Sequence, residues 1–284
     1  MTGCDEIPEQ GGSRSRSPPC AGPAVSAIDQ DLLPRVEALA RAAGGLILEV
    51  YATDFAVQDK ADTSPVTLAD ERAEALITPA LERLRPDWPV VAEEAAGRGQ
   101  APRVASCFWL VDPLDGTREF VARNGEFTVN IAIVRQGQPV LGVVYLPVAD
   151  RLYAGVVGQG AWLEERGRRQ AISARVAPAA GVVVACSRSH GDAASLKAWL
   201  QGQPVTAWVP AGSSLKFGLL AQRQADIYPR LGRTMEWDTA AGHAVLAAAG
   251  GSVCDLEGRA LRYGKPGFEN PFFVARGAPA GPPG

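Results

Sequence analysis

Four short acidic clusters hold the side chains most able to do chemistry, and each stands where an apolar run stops or a helical run starts. They are Asp62-Thr63-Ser64-Pro65-Val66-Thr67, Glu93-Glu94 after Val90-Val91-Ala92, Asp112-Pro113-Leu114-Asp115-Gly116-Thr117 after Trp109-Leu110-Val111, and Glu236-Trp237-Asp238-Thr239. The third says most. Asp112 ends a run that reads as fully buried strand, and a carboxylate there is costly without a positive partner. Asp115 follows three residues later, and two carboxylates this close repel and take up protons unless cations hold them. Hard divalent cations such as Mg2+ want oxygen ligands of this kind, completed by carbonyls, waters and phosphate. Gly116-Thr117 reads as the start of a helical turn, where backbone N–H groups can meet a phosphate oxygen. Each cluster taken singly has an ordinary explanation: Asp-Gly is a common turn, Glu-Glu a solvated face, Asp238 a cap before Thr239. Their recurrence at strand ends flanked by apolar residues outweighs those explanations.

The elements that must position these groups are legible in the apolar spacing. Leu32, Leu33, Val36, Leu39, Ala40, Ala43 and Ile47 predict a helix with Asp29 placed to cap it. Ala69, Ala73, Leu76, Ile77, Ala80 and Leu84 predict a second over 68–84, and Pro65 forces extended backbone just before it. Strands are expected at 90–92, 108–111, 127–134, 140–146 and 152–157, with Gln136-Gly137 as a turn, so the middle of the chain reads as antiparallel sheet. Beyond it, strands at 182–186, 206–209 and 225–228 alternate with helices at 193–201, 214–221 and 239–249, the last ended by Gly250-Gly251. The expected organisation is a disordered tail over 1–24 and an α+β lobe over 25–175. A mixed α/β lobe over 176–276 and a Gly/Pro-rich tail over 277–284 follow.

Composition narrows the ligand. With 28 basic and 31 acidic side chains, the net charge of −3 supplies no general field for a nucleic acid polymer or an anionic membrane surface. An anionic ligand must be held by local cations, metal ions or helix ends, which favours a small molecule. The five cysteines are scattered without a C-x-x-C pair and read as free thiols of a reducing compartment. No apolar run approaches the ~18–20 residues that span a bilayer, and the amino terminus lacks the plan of a secretion signal. The expected location is the cytoplasm, with peripheral association at the inner membrane left open.

The segments Val91-Ala92-Glu93-Glu94, Trp109-Leu110-Val111-Asp112-Pro113-Leu114-Asp115-Gly116-Thr117 and Trp237-Asp238-Thr239-Ala240-Ala241-Gly242 resemble the inositol monophosphatase superfamily over roughly 36–274. Within it, Asp62-Thr63-Ser64-Pro65-Val66-Thr67, Arg118-Glu119-Phe120, Asn124-Gly125-Glu126-Phe127-Thr128-Val129-Asn130, Gly212-Ser213-Ser214-Leu215-Lys216 and the Trp237–Val245 block are similar to the CysQ-type 3'(2'),5'-bisphosphate nucleotidases. The resemblance implies a layered α/β/α/β/α sandwich of the α/β class, two or three Mg2+ per site (Mn2+ as a substitute) and sensitivity to Li+. It implies hydrolysis of the 3'-phosphate of adenosine 3',5'-bisphosphate, with an inositol or sugar-phosphate phosphatase as the alternative. Glu93, Asp112, Asp115, Asp238 and the Leu114 carbonyl would be metal ligands. Asp62 and Thr117 would orient and deprotonate the attacking water. Gly116, Thr117, His190, Ser213, Lys216, Arg230 and Asp238 would bind substrate, Lys216 and Arg230 taking the phosphate that the metals do not reach.

Overall fold

The computed structural model describes residues 31–53, 57–59, 65–188 and 193–280. Asp29, Asp62, His190 and the segment 1–24 lie outside them.

Helix α1 (Leu33–Tyr51) buries Val36, Ala40, Ala43, Ile47 and Val50, and Pro34 sits in its first turn, where a missing N–H costs nothing. A short hairpin, β1 (Val57–Asp59) and β2 (Pro65–Thr67), leads into α2 (Leu68–Leu84). The α2 stripe Ala69, Ala73, Ile77 and Leu81 recurs every four residues and is fully buried. Strand β3 (Val90–Ala92) precedes the short helix α3 (Glu93–Gly97), and β4 (Cys107–Asp115) precedes the short helix α4 (Thr117–Val121). A meander follows: β5 (Thr128–Arg135), β6 (Gln138–Leu146), β7 (Arg151–Val156), β8 (Gly160–Glu165) and β9 (Arg168–Ile172). The β5–β6 turn is Gln136-Gly137, both at positive φ (50° and 73°), the combination whose twist suits a tight hairpin.

These strands form one seven-stranded sheet in the order β3-β4-β5-β6-β7-β8-β9. It is antiparallel except for the parallel β3–β4 pair, a departure from the wholly antiparallel expectation. The parallel pair brings the carboxyl ends of β3 and β4 together, and that places Glu93 beside Asp112.

The second half supplies β10 (Val182–Ser187), α5 (Ala193–Trp199), β11 (Val205–Ala211), α6 (Leu215–Ala221), β12 (Ile227–Arg230), α7 (Trp237–Ala248), β13 (Ser252–Asp255) and β14 (Phe273–Arg276). Its five strands are ordered β11-β10-β12-β14-β13. Strands β8, β9, β13 and β14 were not anticipated from sequence.

The layers run α1/α2, seven-stranded sheet, α6/α7, five-stranded sheet, α5. Helix α7 packs across β4–β8 and against α6, which meets β10 and β12. One core includes Phe108 and Leu110 of the first sheet, Phe217 of α6, and Tyr228 and Phe273 of the second. Leu196 and Trp199 of α5 close the far side over Val182, Val184, Ile227 and Val274. The expected α/β/α/β/α sandwich is what forms. Gly277 and Ala278, expected in a loose tail, instead donate backbone bonds to Asp226 and Arg175. Asp226 itself is held by a two-point ion pair from Arg175 (2.6 and 3.0 Å).

Candidate active site

The Asp112-Pro113-Leu114-Asp115 segment sits on a bulge of β4. Asp112 pairs with Asn130 and Asp115 with Thr128, so a step of three residues faces a step of two. In a regular strand, side chains three apart point to opposite faces. The extra residue resets that parity, and both carboxylates reach the same cleft. Pro113 suits the bulge, since it brings no N–H to a disturbed ladder. Leu114 N–H donates back to Asp112 Oδ1 at 3.1 Å, which fixes the Asp112 rotamer.

Glu93, Asp112 and Asp238 each present a carboxylate oxygen within 4.8 Å of the others. Glu93 opens α3, whose first turn is anchored where Glu94 N–H donates to the buried Glu74 Oε2 of α2 (2.8 Å). Asp238 lies in the first turn of α7, its Oδ2 accepting from Met235 N–H at 2.8 Å. Asp112 is almost completely buried. Its pKa is raised well above the ordinary carboxylate value by burial, then by Glu93, Asp115, Asp238 and Asp70. Asp238 is raised well above it too, by burial first and then by Asp115 and Glu93. Burial also raises Asp115, against the pull of Lys216 and hydrogen bonds from Ser214 and Asn130. Buried carboxylates that raise one another's pKa fit hard divalent cations, which such oxygen donors prefer. The donor set therefore suits Mg2+ or Mn2+.

The same cleft, about 300 Å³ in volume, also has a basic part: Arg118, Lys216, Arg230 and Arg233 line it together with Ser187 and Ser213. The Arg230 Nε–H is buried with no hydrogen-bond partner, while Nη2 donates to the Arg233 carbonyl at 3.2 Å. Lys216 is buried, and its ammonium donates to the Ala211 and Ser213 carbonyls at 3.1 and 2.6 Å. Burial and the neighbouring Arg230 lower its pKa to about 8 against the pull of Asp115. Gly116 follows Asp115 and lies against Ser213. It takes φ +94°, and a Cβ there would collide with Ser213 Oγ.

The structure brings Glu93, Asp112, Leu114, Asp115, Gly116, Thr117, Ser213, Lys216, Arg230 and Asp238 to one cleft. Two of them sit differently from expectation. The Ser213 hydroxyl lies 2.8 Å from both the Asp115 and Glu126 carbonyls, so its hydrogen is engaged by backbone. Lys216 has one N–H left for a ligand once its two carbonyls are served. One group absent from the sequence-derived set is Asp70. It is 1% exposed, in the first turn of α2, near enough for its charge to raise the pKa of Asp112. Its spacing within the buried stripe, one residue after Ala69 and three before Ala73, was the available signal.

Residues 29–278 match the inositol monophosphatase family. The chain is 49% identical over 245 residues to the 3'(2'),5'-bisphosphate nucleotidase CysQ of Escherichia coli O157:H7, covering 85% of this chain and 98% of that one. Among solved structures, CysQ from Bacteroides thetaiotaomicron superposes with a TM-score of 0.73 at 35% identity, covering 88% of this chain and 98% of the other. An inositol monophosphatase from Zymomonas mobilis superposes with a TM-score of 0.71 at 27% identity, covering 89% and 95%. Fold, carboxylate cluster and sequence match agree, and the chain belongs to the inositol monophosphatase family.

Proposed function

We propose that this protein is a divalent-metal-dependent 3'(2'),5'-bisphosphate nucleotidase that hydrolyses the 3'-phosphate of adenosine 3',5'-bisphosphate to AMP and phosphate. The observation that carries the reading is that one cleft holds both three carboxylates within 4.8 Å of one another and a separate set of cationic donors, Lys216 and Arg230 with its unpartnered Nε–H. A ligand with one phosphate satisfies one set; a bisphosphate satisfies both. The CysQ relatives support the same substrate class.

Glu93, Asp112, Asp115, Asp238 and the Leu114 carbonyl would hold the cations. When bound, Mg2+ shields phosphoryl oxygens and lowers the pKa of water in its shell. The chain's own groups do the rest. The N–H groups of Gly116 and Thr117, at a helix start without intrahelical acceptors, orient the phosphoryl oxygens. Thr117 and a carboxylate beside Asp112 orient the attacking water and accept its proton. The buried Asp70, whose charge acts on Asp112, can fill that place, and Asp62, outside the described residues, is the other candidate. Lys216 and Arg230 hold the 5'-phosphate through charge-assisted bonds, joined by His190. Water is the direct nucleophile. Among the described residues, no cysteine or histidine lines the cleft to form a phospho-enzyme.

Phosphate release tests the reading. Adenosine 3',5'-bisphosphate is expected to exceed inositol 1-phosphate in kcat/KM, with AMP as product. EDTA is expected to abolish turnover and Mg2+ to restore it. Undiminished turnover after exhaustive chelation contradicts the metal role, and preference for inositol 1-phosphate contradicts the substrate. Among the described residues no helix is long and apolar enough to cross a membrane.

A further inference from the structure

Glu126 lies outside the acidic cluster, yet it joins three separate elements at the basic part of the cleft. Its carboxylate receives two bonds from Arg188 just after β10, Nε to Oε2 at 3.0 Å and Nη2 to Oε1 at 2.7 Å. The same Oε2 accepts from Gly212 N–H at 2.7 Å, in the turn between β11 and α6. Its own carbonyl accepts from Ser213 Oγ at 2.8 Å. Arg188 extends the junction to the Pro210 carbonyl at 3.0 Å. Asn124 Oδ1 pins the Glu126 N–H at 2.9 Å. The fit leaves no room for adjustment, since a Cβ at Gly212 would lie 2.7 Å from both Glu119 Cγ and the Glu126 carbonyl.

The elements tied here carry Ser187, Ser213 and Lys216, all of which line the basic part. The carboxylate cluster is carried by α3, β4 and α7, whereas the bonds of the Glu126 carboxylate run to Arg188 and Gly212. We propose that Glu126, acting through Arg188 and Gly212, is a positioning residue that sets the geometry of the second-phosphate site and thereby the preference for a bisphosphate over a monophosphate. The inference deepens the proposed function and rests on it.

A partly exposed ion pair contributes little to global stability, whereas a small displacement of groups that position substrate is costly to turnover. The two effects are therefore separable. The test compares kcat/KM for adenosine 3',5'-bisphosphate with that for adenosine 3'-monophosphate in wild type, Glu126→Ala, Arg188→Met, the double variant and Glu126→Gln. The wild type is expected to favour the bisphosphate. Glu126→Ala is expected to shrink that preference by about tenfold or more, chiefly through KM of the bisphosphate. The double variant is expected to be no worse than the more damaged single one, and Glu126→Gln, which keeps an acceptor for Gly212, to fall between wild type and Glu126→Ala. Melting temperatures are expected to stay within about 4 °C of wild type. Equal losses on both substrates, or additive losses in the double variant, overturn the positioning role. A wild type without preference for the bisphosphate overturns the functional reading itself, and the inference with it.

Discussion

Asn130 and Asp115 meet across the β4–β5 bulge, where the Asn130 amide donates to Asp115 Oδ2 at 3.3 Å. Its Nδ2 also lies 3.0 Å from Ser214 Oγ, and Ser214 Oγ donates to the Asp238 carbonyl at 2.7 Å. One buried amide thus orients the Asp115 carboxylate and, through Ser214, ties to the backbone at Asp238. Groups that orient metal ligands are worth about 10–100-fold when removed. Asn130→Leu is expected to lower kcat by about that factor and to raise the Mg2+ concentration for half-activation. Asn130 Oδ1 is buried without a partner, so the apolar replacement also removes an unsatisfied acceptor. The melting temperature is therefore expected to fall by no more than about 4 °C, read by calorimetry beside the Mg2+ titration.

Asp70 and Asp62 compete for one role, and paired substitutions separate them. Asp70→Asn is expected to lower kcat by on the order of 10³-fold with KM little changed, because it removes the group that receives the water's proton. Asp62→Asn is expected to cost less than about tenfold. The reverse ranking returns the role to Asp62.

Much of this architecture could be read from the chain because the signals are local. Helix α2 runs over Leu68–Leu84 as its four-residue spacing predicts, and β3 over Val90–Ala92 as its apolar run predicts. Strand β9 escaped notice because Arg168-Arg169-Gln170-Ala171-Ile172 is largely exposed at the edge of the sheet and shows no apolar alternation. Asp70 was not singled out for a different reason. Leu68-Ala69-Asp70-Glu71-Arg72 has the composition of a solvated first turn, and only tertiary packing buries the third of these residues. The bulge that aligns Asp112 with Asp115 is a pairing property of β4 against β5, invisible in either segment alone.

Charge repulsion in the metal-free cluster gives stability a pH dependence of definite sign. Burial and mutual repulsion raise Asp112 and Asp238 well above their unfolded value of 3.8. A carboxyl raised on folding contributes stability that is full below the unfolded pKa and is lost as pH rises through the folded one. In EDTA, this pair is expected to make the melting temperature rise as pH is lowered through the raised folded pKa values toward 3.8. Asp112→Asn is expected to flatten that slope and to raise the metal-free melting temperature at the upper pH. Saturating Mg2+ is expected to flatten it as well. A melting temperature whose slope is the same in wild type, variant and Mg2+-loaded protein contradicts the assignment.

Lys216 gives the basic part its own pH dependence. With its pKa lowered to about 8, chiefly by burial, the ammonium is charged below that pH and neutral above it. KM for adenosine 3',5'-bisphosphate is expected to rise as pH passes about 8, and Lys216→Met is expected to remove that limb from the profile. An unaltered limb in the variant assigns it to another group.

The most direct measurement is Arg230→Ala assayed against adenosine 3',5'-bisphosphate and inositol 1-phosphate in the same Mg2+ buffer. Arg230 holds a buried N–H without a partner in the wall of the cleft, as a receptor for a second phosphate would. A charge-assisted contact is worth ~1.5–3 kcal/mol, which corresponds to roughly tenfold or more in affinity. The account predicts that kcat/KM for the bisphosphate falls by at least about tenfold more than kcat/KM for inositol 1-phosphate. Equal losses on the two substrates would contradict it.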